Sequence, residues 1–426
     1  MSEKKRRGYA MRTRLVHGPG FTHRWDFSHH VVPPLSSSTT YRLDSVKRGA
    51  RGFAEFGNPI GDLDEPPVYI YDRLDEPTRA LLESELADIE QGEACVAFAS
   101  GMGAISGALG SLLRTGDHLI AHDLLYGCTH SLFTNWYPRL GIEVTRVDCR
   151  DLDAVRAAVR PETRAIYVET PVNPTLDLVD LAALRDLAED LRGGETREER
   201  IFLICDNTFA TPYGQRPLTL GADMSCHSLT KNLGGFGTEI GGAVICREHE
   251  YRDLLLFRKD FGASLASKSA WAIQVYGLPS LAVRLERQQK SAMKVAHFLE
   301  AHEDVREVRY PGLESFPQQD LAKRQMRNPD GYFMPGSMIY FHLREEKVPP
   351  VAFMNHLAQE AYCVTLAVSL GHVKTLIEMP GAMTHSAYGP EDPTTRDLGI
   401  RLSLGLEEPD DVIHDLEAAL ETARRV

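Results

Sequence analysis

Six short apolar segments, separated by helical stretches, constrain the fold of this chain more than any other feature. The segments are rich in Val and Ile and read HLIAHD, EVTRVD, RAIYVET, IFLICDN, DMSCHSL and GGAVIC, with stretches such as LDAVRAAVR and LAALRDLAEDL between them. Strands that alternate with helices in this way build a parallel sheet with both faces covered. The pattern therefore predicts an α/β fold with a mostly parallel sheet and helices on both faces.

Three regions are expected along the chain. Residues 1–75 carry many Pro and Gly and little periodicity, and the basic start MSEKKRRGYAMRTR is expected to be a frayed, solvated end. The α/β domain spans 76–281 and opens with a helix that places Leu82, Leu86 and Ile89 on one face before a Gly stop. A smaller C-terminal α/β domain, 282–426, begins with a long amphipathic helix and ends with the helix DDVIHDLEAALETA, whose apolar residues recur at helical spacing.

Composition excludes several classes of protein. The net charge of −13 and the pI near 5.7 argue against nucleic acid or an anionic membrane as partner. No stretch approaches the ~18 apolar residues of a membrane span. The seven cysteines form no C-x-x-C pair, which favours a reduced, cytoplasmic protein. The 16 histidines show no metal-ligand spacing, so no metal site is expected.

Lys231 is the candidate for covalent chemistry. It follows a strand-like segment, is preceded by the hydroxyls of Ser228 and Thr230, and is followed by a glycine-rich loop, LGGFG, where the backbone can approach a ligand closely. A lone Lys is usually a solvated surface cation. A desolvated lysine amine, however, attacks carbonyls such as that of pyridoxal phosphate.

Two further segments could complete a site for that cofactor. Ser100, Gly101 and Met102 lie between a strand and a helix, where free amides can hold a phosphate, although a plain helix cap fits this segment alone. Neither the dinucleotide glycine spacing nor a Walker motif is met. Asp206 ends the most apolar strand and could pair with a pyridinium nitrogen, but it could equally cap the DNT turn that contains Thr208.

Nine segments in one order resemble the Cys/Met-metabolism pyridoxal-phosphate enzymes, from about Thr39 to the C-terminus. They are YDRLDEPTRALLE, FASGMGA, LLYGCT, YVETPVNPT, CDNTFATPYGQRPLTLGAD, HSLTKNLGG, VSLGHVKTL, MTHS and RLSLGLE. The resemblance implies a fold-type I pyridoxal-phosphate enzyme that assembles as a homotetramer of two active dimers. It also implies that Tyr71 and Arg73 hold the phosphate of a neighbouring subunit. The Gly/Pro-rich piece from Lys47 to Pro67 is longer than is usual for that family.

The resemblance also assigns roles within the site. Lys231 carries the cofactor and moves protons, and Tyr126 stacks on the ring and acts as acid and base near the leaving group. Arg401, assisted by Ser369, grips the substrate carboxylate, and Asn173 bonds the phenolic oxygen of the cofactor. The cofactor-binding set is Tyr71, Arg73, Ser100, Gly101, Met102, Tyr126, Glu169, Asn173, Asp206, Thr208, Ser228, Thr230 and Lys231.

The resemblance narrows the reaction to elimination or replacement at the γ-carbon of a sulfur amino acid. Cys128, the pair Lys259–Asp260 and Val368 favour the methionine γ-lyase branch, because an apolar Val suits a methylthio group where cystathionine-processing relatives carry Glu. Each has a plainer interpretation, as core filler, surface ion pair and strand packing respectively. Cystathionine γ-lyase activity, γ-replacement of the cystathionine γ-synthase or O-acetylhomoserine sulfhydrylase type, and a non-catalytic pyridoxal-phosphate-binding protein remain alternatives.

Overall fold

A mostly parallel sheet forms the larger half of the protein. The computed structural model describes residues 8–18, 30–57, 67–194, 196–389 and 391–424. Within these ranges seven strands pair in the order β1-β7-β6-β5-β4-β2-β3, and only β7 runs against its neighbours. This confirms the predicted sheet. The strands are β1 Ala94–Phe98, β2 His118–His122, β3 Glu143–Val147, β4 Thr163–Glu169, β5 Phe202–Asp206, β6 Met224–Ser228 and β7 Gly242–Cys246.

Both faces of this sheet are buried. In β4, Ala165 and Tyr167 belong to one apolar cluster, whereas Ile166 and Val168 belong to a different one. The alternation arises because successive side chains of a strand point to opposite faces, so burying both faces requires a continuous apolar run. The helices of this part are α1 Met11–His17, α2 Val46–Glu55, α3 Pro77–Glu90, α4 Gly101–Leu112, α5 Gly127–Ser131, α6 Leu152–Ala158, α7 Leu181–Leu191, α8 Thr211–Gly214, α9 Glu248–Phe261 and α10 Ser267–Ala272.

The α3 helix buries the face that its periodicity predicts. Leu82, Leu86 and Ile89 are all 0% exposed. Glu76 caps the first turn by accepting hydrogen bonds from two backbone amides. At the other end Gln91, with φ of 61°, takes the left-handed conformation, and the predicted Gly stop follows it.

A second, five-stranded sheet lies in the C-terminal part. Within the described residues its order is β10-β11-β12-β9-β8, and all pairs except β10–β11 are antiparallel. The apolar face of the last helix, from Val412 to Ala423, is buried as predicted. The elements are β8 Val305–Arg309, β9 Met338–Leu343, β10 Val364–Leu366, β11 Thr375–Glu378, β12 Ile400–Ser403, α11 Leu278–Ala301, α12 Gln319–Gln325, α13 Pro350–Glu360, α14 Pro393–Arg396 and α15 Pro409–Ala423.

The N-terminal region is more ordered than its sequence suggests. The expectation of a frayed end is wrong for α1, because Met11 and Leu15 are each 1% exposed and pack in the core with α3. Arg14 also forms an ion pair with Asp88, 2.7 Å away. The α2 helix falls in the stretch expected to be irregular. Residues 58–66, part of the unusually long Gly/Pro-rich piece from Lys47 to Pro67, lie outside the described residues.

No helix in the described part of the chain is both long and apolar enough to cross a membrane.

Candidate active site

A cavity of about 330 Å³ opens at the carboxyl ends of β4, β5 and β6, beside the start of α4. The two sheets both contribute to its wall. Fourteen of the seventeen residues predicted for the site line it; Tyr71, Arg73 and Cys128 do not. The lining residues are Ser100, Gly101, Met102, Ile105, Tyr126, Glu169, Pro171, Asn173, Asp206, Thr208, Phe209, Ser228, Thr230, Lys231, Val368, Ser369, Leu370, Thr384 and Arg401.

Lys231 reaches the cavity from the loop that follows β6. Its Nζ donates a hydrogen bond of 2.8 Å to Ser369 Oγ in the C-terminal part. Burial, and to a smaller extent the guanidinium of Arg401, lower the pKa of the Lys231 amine to about 8. A larger fraction of neutral amine is therefore available near neutral pH, as a nucleophilic lysine requires.

The start of α4 forms an anion cradle with the end of β6. Ser100 caps the helix, because its Oγ accepts a 3.0 Å hydrogen bond from Gly103 N. A Cβ on Gly101 would lie 2.9 Å from the Ser228 Cβ, so the two backbones approach as closely as a glycine permits. The hydroxyls of Ser228 and Thr230 face the same space. Amides at a helix N-terminus together with hydroxyls are a suitable binding site for phosphate.

Two carboxyl groups stand side by side at neighbouring strand ends. Glu169 of β4 and Asp206 of β5 are directly opposite in the sheet register. Asp206 accepts a 2.9 Å hydrogen bond from Thr208 N, and Glu169 accepts one of 2.8 Å from Tyr126 N. Burial raises the pKa of both carboxyls, and the charge of Asp206 raises that of Glu169 further. A cationic group at Asp206 would offset this cost.

Arg401 of β12 is held by groups from three other segments. Its Nη1 donates to Asn173 Oδ1 at 2.7 Å, and its Nη2 donates to the carbonyl of Ser369 at 2.9 Å. Nη2 also lies 2.7 Å from Oε1 of Glu378. Ser369 has φ of 89°, a left-handed conformation that brings its carbonyl to Arg401 and its hydroxyl to Lys231.

The sequence did not predict the contact between Asn173 and Arg401. The resemblance gives Asn173 to the cofactor, whereas in this structure its Oδ1 is an acceptor for the guanidinium. The expected bond to the phenolic oxygen of the cofactor therefore stays a prediction.

Tyr126 and Val368 form the outer part of the wall. Tyr126 is 37% exposed, and Val368 is 53% exposed. Burial of the rest of the Tyr126 ring raises the pKa of its phenol, which is therefore protonated at neutral pH. Cys128 does not line the cavity, but its Sγ lies 3.5 Å from the Tyr126 hydroxyl.

Tyr71 and Arg73 lie away from the cavity of their own chain. Arg73 donates a 2.6 Å hydrogen bond to the carbonyl of Lys259, and its guanidinium lies 5.5 Å from the centre of the Tyr71 ring. Lys259 forms an ion pair of 3.2 Å with Asp260, and neither residue lines the cavity. A contribution of Arg73 to a site must therefore come in another chain or through a rearrangement, and its action in a neighbouring subunit stays a prediction.

Several residues in the cavity wall or directly behind it were not singled out from the sequence. Glu378 is the most informative; it does not line the cavity, but it contacts the lining residue Arg401 from β11 and is 1% exposed. The sequence feature that could have indicated Glu378 is its position as a single Glu inside the apolar run TLIEMP, where an unpaired carboxylate would be energetically costly. The others are Ile105, Pro171, Phe209, Leu370 and Thr384.

Comparison with known proteins identifies the family. The sequence model of the Cys/Met metabolism PLP-dependent enzymes matches residues 12–421. The chain belongs to this family. An L-methionine gamma-lyase of Fusobacterium nucleatum subsp. polymorphum is 42% identical over 397 residues, which cover 92% of this chain and 93% of that protein. A cystathionine gamma-lyase of Bacillus subtilis (strain 168) is 40% identical over 360 residues, covering 83% of this chain and 89% of that protein.

A solved structure agrees with the family assignment. The crystal structure of cystathionine gamma-lyase from Lactobacillus plantarum complexed with L-serine superposes with a TM-score of 0.84 at 34% identity, covering 98% of this chain and all of that one. The expected family and fold class are thus confirmed. As a Cys/Met-metabolism enzyme the chain depends on pyridoxal phosphate.

The cavity residues fit that cofactor. The close packing of Gly101 against Ser228 brings the first amides of α4 next to the Ser228 hydroxyl, as a phosphate site needs. Asp206 forms no ion pair with any of the described residues and has a pKa raised by burial, so its carboxylate suits a protonated ring nitrogen. Lys231, with its lowered pKa, suits the aldehyde. These three features belong to separate elements of the chain and face one cavity.

Proposed function

We propose that this chain catalyses γ-elimination on sulfur amino acids, with L-methionine as its preferred substrate and methanethiol, 2-oxobutanoate and ammonia as products. The observation that carries the proposal is the cavity itself, which is lined by a lysine amine, a buried arginine and an apolar valine. The methionine γ-lyase relative at 42% identity supports the same reaction.

Different residues of the cavity have different roles in this reaction. Pyridoxal phosphate, when bound, supplies an electron sink that labilises bonds at the carbons of an attached amino acid. Lys231 Nζ takes the proton from Cα of the substrate, as a general base whose pKa of about 8 lies close to the working pH. Arg401 fixes the substrate carboxylate. The phenol of Tyr126 is protonated and can therefore donate a proton to the departing sulfur.

Val368 is the proposed reason for a preference for methionine. Its side chain is half-exposed at the cavity wall, where it offers apolar contact to a methylthio group and no partner to the charged distal end of cystathionine. The alternatives are cystathionine γ-lyase activity, supported by the relative at 40% identity, and γ-replacement on an acylated homoserine. A Val368→Glu variant is expected to shift the ratio of kcat/KM from methionine toward cystathionine, by about ten- to a hundredfold.

One set of assays separates the candidate reactions. We would measure kcat/KM for L-methionine, L-homocysteine, L-cystathionine and O-acetyl-L-homoserine with sulfide. The highest value is expected for L-methionine. A clear preference for cystathionine, or a requirement for an acylated homoserine with a thiol, would overturn this substrate while leaving the family unchanged.

The binding-only alternative is tested through Lys231. Purified protein is expected to show the absorbance band of lysine-bound cofactor, and Lys231→Ala is expected to lose both that band and all release of 2-oxobutanoate. A wild-type protein that keeps the band but turns over no γ-substituted amino acid would favour a non-catalytic pyridoxal-phosphate-binding protein.

We further propose that the enzyme is a dimer of dimers in which Tyr71 and Arg73 serve the site of a neighbouring subunit. In one chain, the lining contains only two cationic side chains among the described residues, Lys231 and Arg401, so an additional cation for the phosphate would come from outside. Mixing Lys231→Ala with Arg73→Ala subunits is expected to restore part of the activity. No recovery after demonstrated subunit exchange would place Arg73 elsewhere.

A cytoplasmic location completes the proposal. All seven cysteines are free, which suits a reducing compartment. Activity found in the cytoplasmic fraction of fractionated cells would support this location, and activity confined to another fraction would contradict it.

A further inference from the structure

Glu378 is a carboxylate beneath the substrate-binding arginine. It stands opposite Arg401 in the antiparallel pair β11–β12, where side chains on one face lie next to each other. Oε1 of Glu378 lies 2.7 Å from Arg401 Nη2 and accepts a 3.1 Å hydrogen bond from Thr384 Oγ1. Oε2 is buried and, among the described residues, has no hydrogen-bond partner. Among the described residues, Arg401 and Thr384 are thus the partners of this carboxylate in ion pairs and hydrogen bonds.

The contact uses the nitrogen that a bound carboxylate would need. A guanidinium binds a carboxylate through two parallel N–H bonds, on the Nη1/Nη2 edge or on the Nε/Nη2 edge. Both edges include Nη2. Nη2 donates to the Ser369 carbonyl and lies 2.7 Å from Oε1 of Glu378, so both partners occupy the space around it. Because the carbonyl is fixed in the backbone, the Glu378 side chain is the partner that can move aside.

Glu378 changes the net charge around Arg401 more than it changes the orientation of the guanidinium. Asn173 and the Ser369 carbonyl are neutral acceptors that already fix the plane of the guanidinium from two other segments. The buried ion pair is close to neutral as a unit, because Arg401 is 3% exposed and Glu378 is 1% exposed. An incoming anion therefore meets a guanidinium whose charge is already compensated.

We propose that Glu378 is a specificity-determining residue that competes with the substrate carboxylate for Arg401. This inference rests on the proposed function, in which Arg401 receives that carboxylate. A carboxylic acid without an amino group cannot displace Glu378 efficiently, because Arg401 would only exchange one carboxylate partner for another. An α-amino acid would be held also through its amino group, which would take the place of Lys231 on the cofactor, and this second attachment makes the displacement of Glu378 favourable. Glu378 thereby excludes carboxylic acids that lack an α-amino group.

The test uses methionine without its amino group, γ-methylthiobutanoate, as a probe on the cofactor-loaded enzyme. Binding is measured by titration calorimetry, and inhibition of methionine turnover gives a second estimate. Glu378→Gln keeps the size and an acceptor for Nη2 but removes the charge. We expect it to bind the probe about tenfold more tightly than wild type, because the guanidinium keeps its full attraction for an anion. KM for methionine is expected to fall more than kcat changes.

Glu407→Gln is the matched control. Glu407 is a carboxylate of the same part of the protein, which accepts 2.8 Å hydrogen bonds from the amide and the hydroxyl of Thr375 and does not line the cavity. It is expected to leave probe affinity unchanged. Glu378→Asp, which keeps the charge but withdraws it from Nη2, should tighten probe binding by a smaller factor than Gln does, and it keeps the test open if the Gln variant does not fold.

The outcomes separate this inference from the proposed function. Unchanged or weaker probe binding in the Glu378 variants would overturn the competition and make Glu378 an orienting or structural residue. Arg401→Met is expected to abolish probe binding. If it binds the probe as wild type does, the role of Arg401 fails, and the competition fails with it. Which amino acid the enzyme prefers does not affect these measurements, because the probe is not turned over.

Discussion

Gly101 and Gly103 lie in the first turn of α4 and offer a paired test of the phosphate cradle. A Cβ at Gly101 would lie 2.9 Å from Ser228 Cβ and 3.2 Å from Ser228 Cα, closer than carbon atoms pack. A Cβ at Gly103 would lie 3.4 Å from Phe98 Cβ and from Ser100 Oγ, a tight contact that small shifts can relieve. An alanine at 101 would therefore press against Ser228, whereas an alanine at 103 would press against Phe98 and Ser100, although both positions lie in the same helix.

The magnitudes follow from two opposing effects. Gly→Ala in a helix stabilises by about 0.5–1 kcal/mol. Overpacking costs about 1–3 kcal/mol, and at Gly101 it pushes against the backbone of Ser228, whose hydroxyl faces the cradle. If the protein relieves that strain by moving the cradle away from its phosphate-binding geometry, and the move costs about 1.4–2.8 kcal/mol of binding free energy, affinity for the cofactor falls by about ten- to a hundredfold. Gly103→Ala is expected to change that affinity less than threefold.

The assay is the titration of apoprotein with pyridoxal phosphate, read by absorbance, with thermal unfolding of the apoprotein as the measure of folding. Gly101→Ala should lose cofactor affinity and unfold at a lower temperature than Gly103→Ala. Equal cofactor affinity in the two variants would refute the assignment of the cradle to this turn. A loss confined to stability, with affinity kept, would make the close approach a packing feature only.

Three further predictions concern the interior of the cavity. Because burial lowers the pKa of Lys231 to about 8, the unfolded chain binds more protons than the folded one between that pH and the usual lysine range, so apoprotein stability should rise across this window. The rise should be smaller in Lys231→Met, and an identical pH profile would contradict the shifted pKa. Ser369→Ala removes the acceptor of the Lys231 hydrogen bond but keeps the carbonyl on Arg401, so kcat should fall more than KM rises; an unchanged kcat would exclude a role for the hydroxyl. Asp206→Asn should weaken cofactor binding by about tenfold or more, since it loses a charged hydrogen bond of about 1.5–3 kcal/mol; wild-type affinity and absorbance would remove Asp206 from the ring nitrogen.

The sequence determined the large sheet and the composition of most of the cavity wall. Strand periodicity encodes burial, and in β4 the continuous apolar run predicted burial on both faces, which the structure confirms. Asp206 ends β5 and Lys231 follows the neighbouring parallel strand β6, and the carboxyl ends of such strands meet at one edge. Their presence at one cavity could therefore be expected from local pattern and strand order, with the family motifs supplying the residue types.

The tertiary structure alone decided the partners of Arg401 and the position of the N-terminal segment. Asn173, Glu378 and Arg401 come from two different sheets or their connections, and nothing in the local sequence of any one of them specifies the other two. The basic N-terminal stretch that includes the start of α1 was expected to be a frayed, solvated end, yet Met11 and Leu15 pack in the core beside α3. Periodicity records which face of an element is buried, whereas the identity of the buried partners depends on how distant elements pack together.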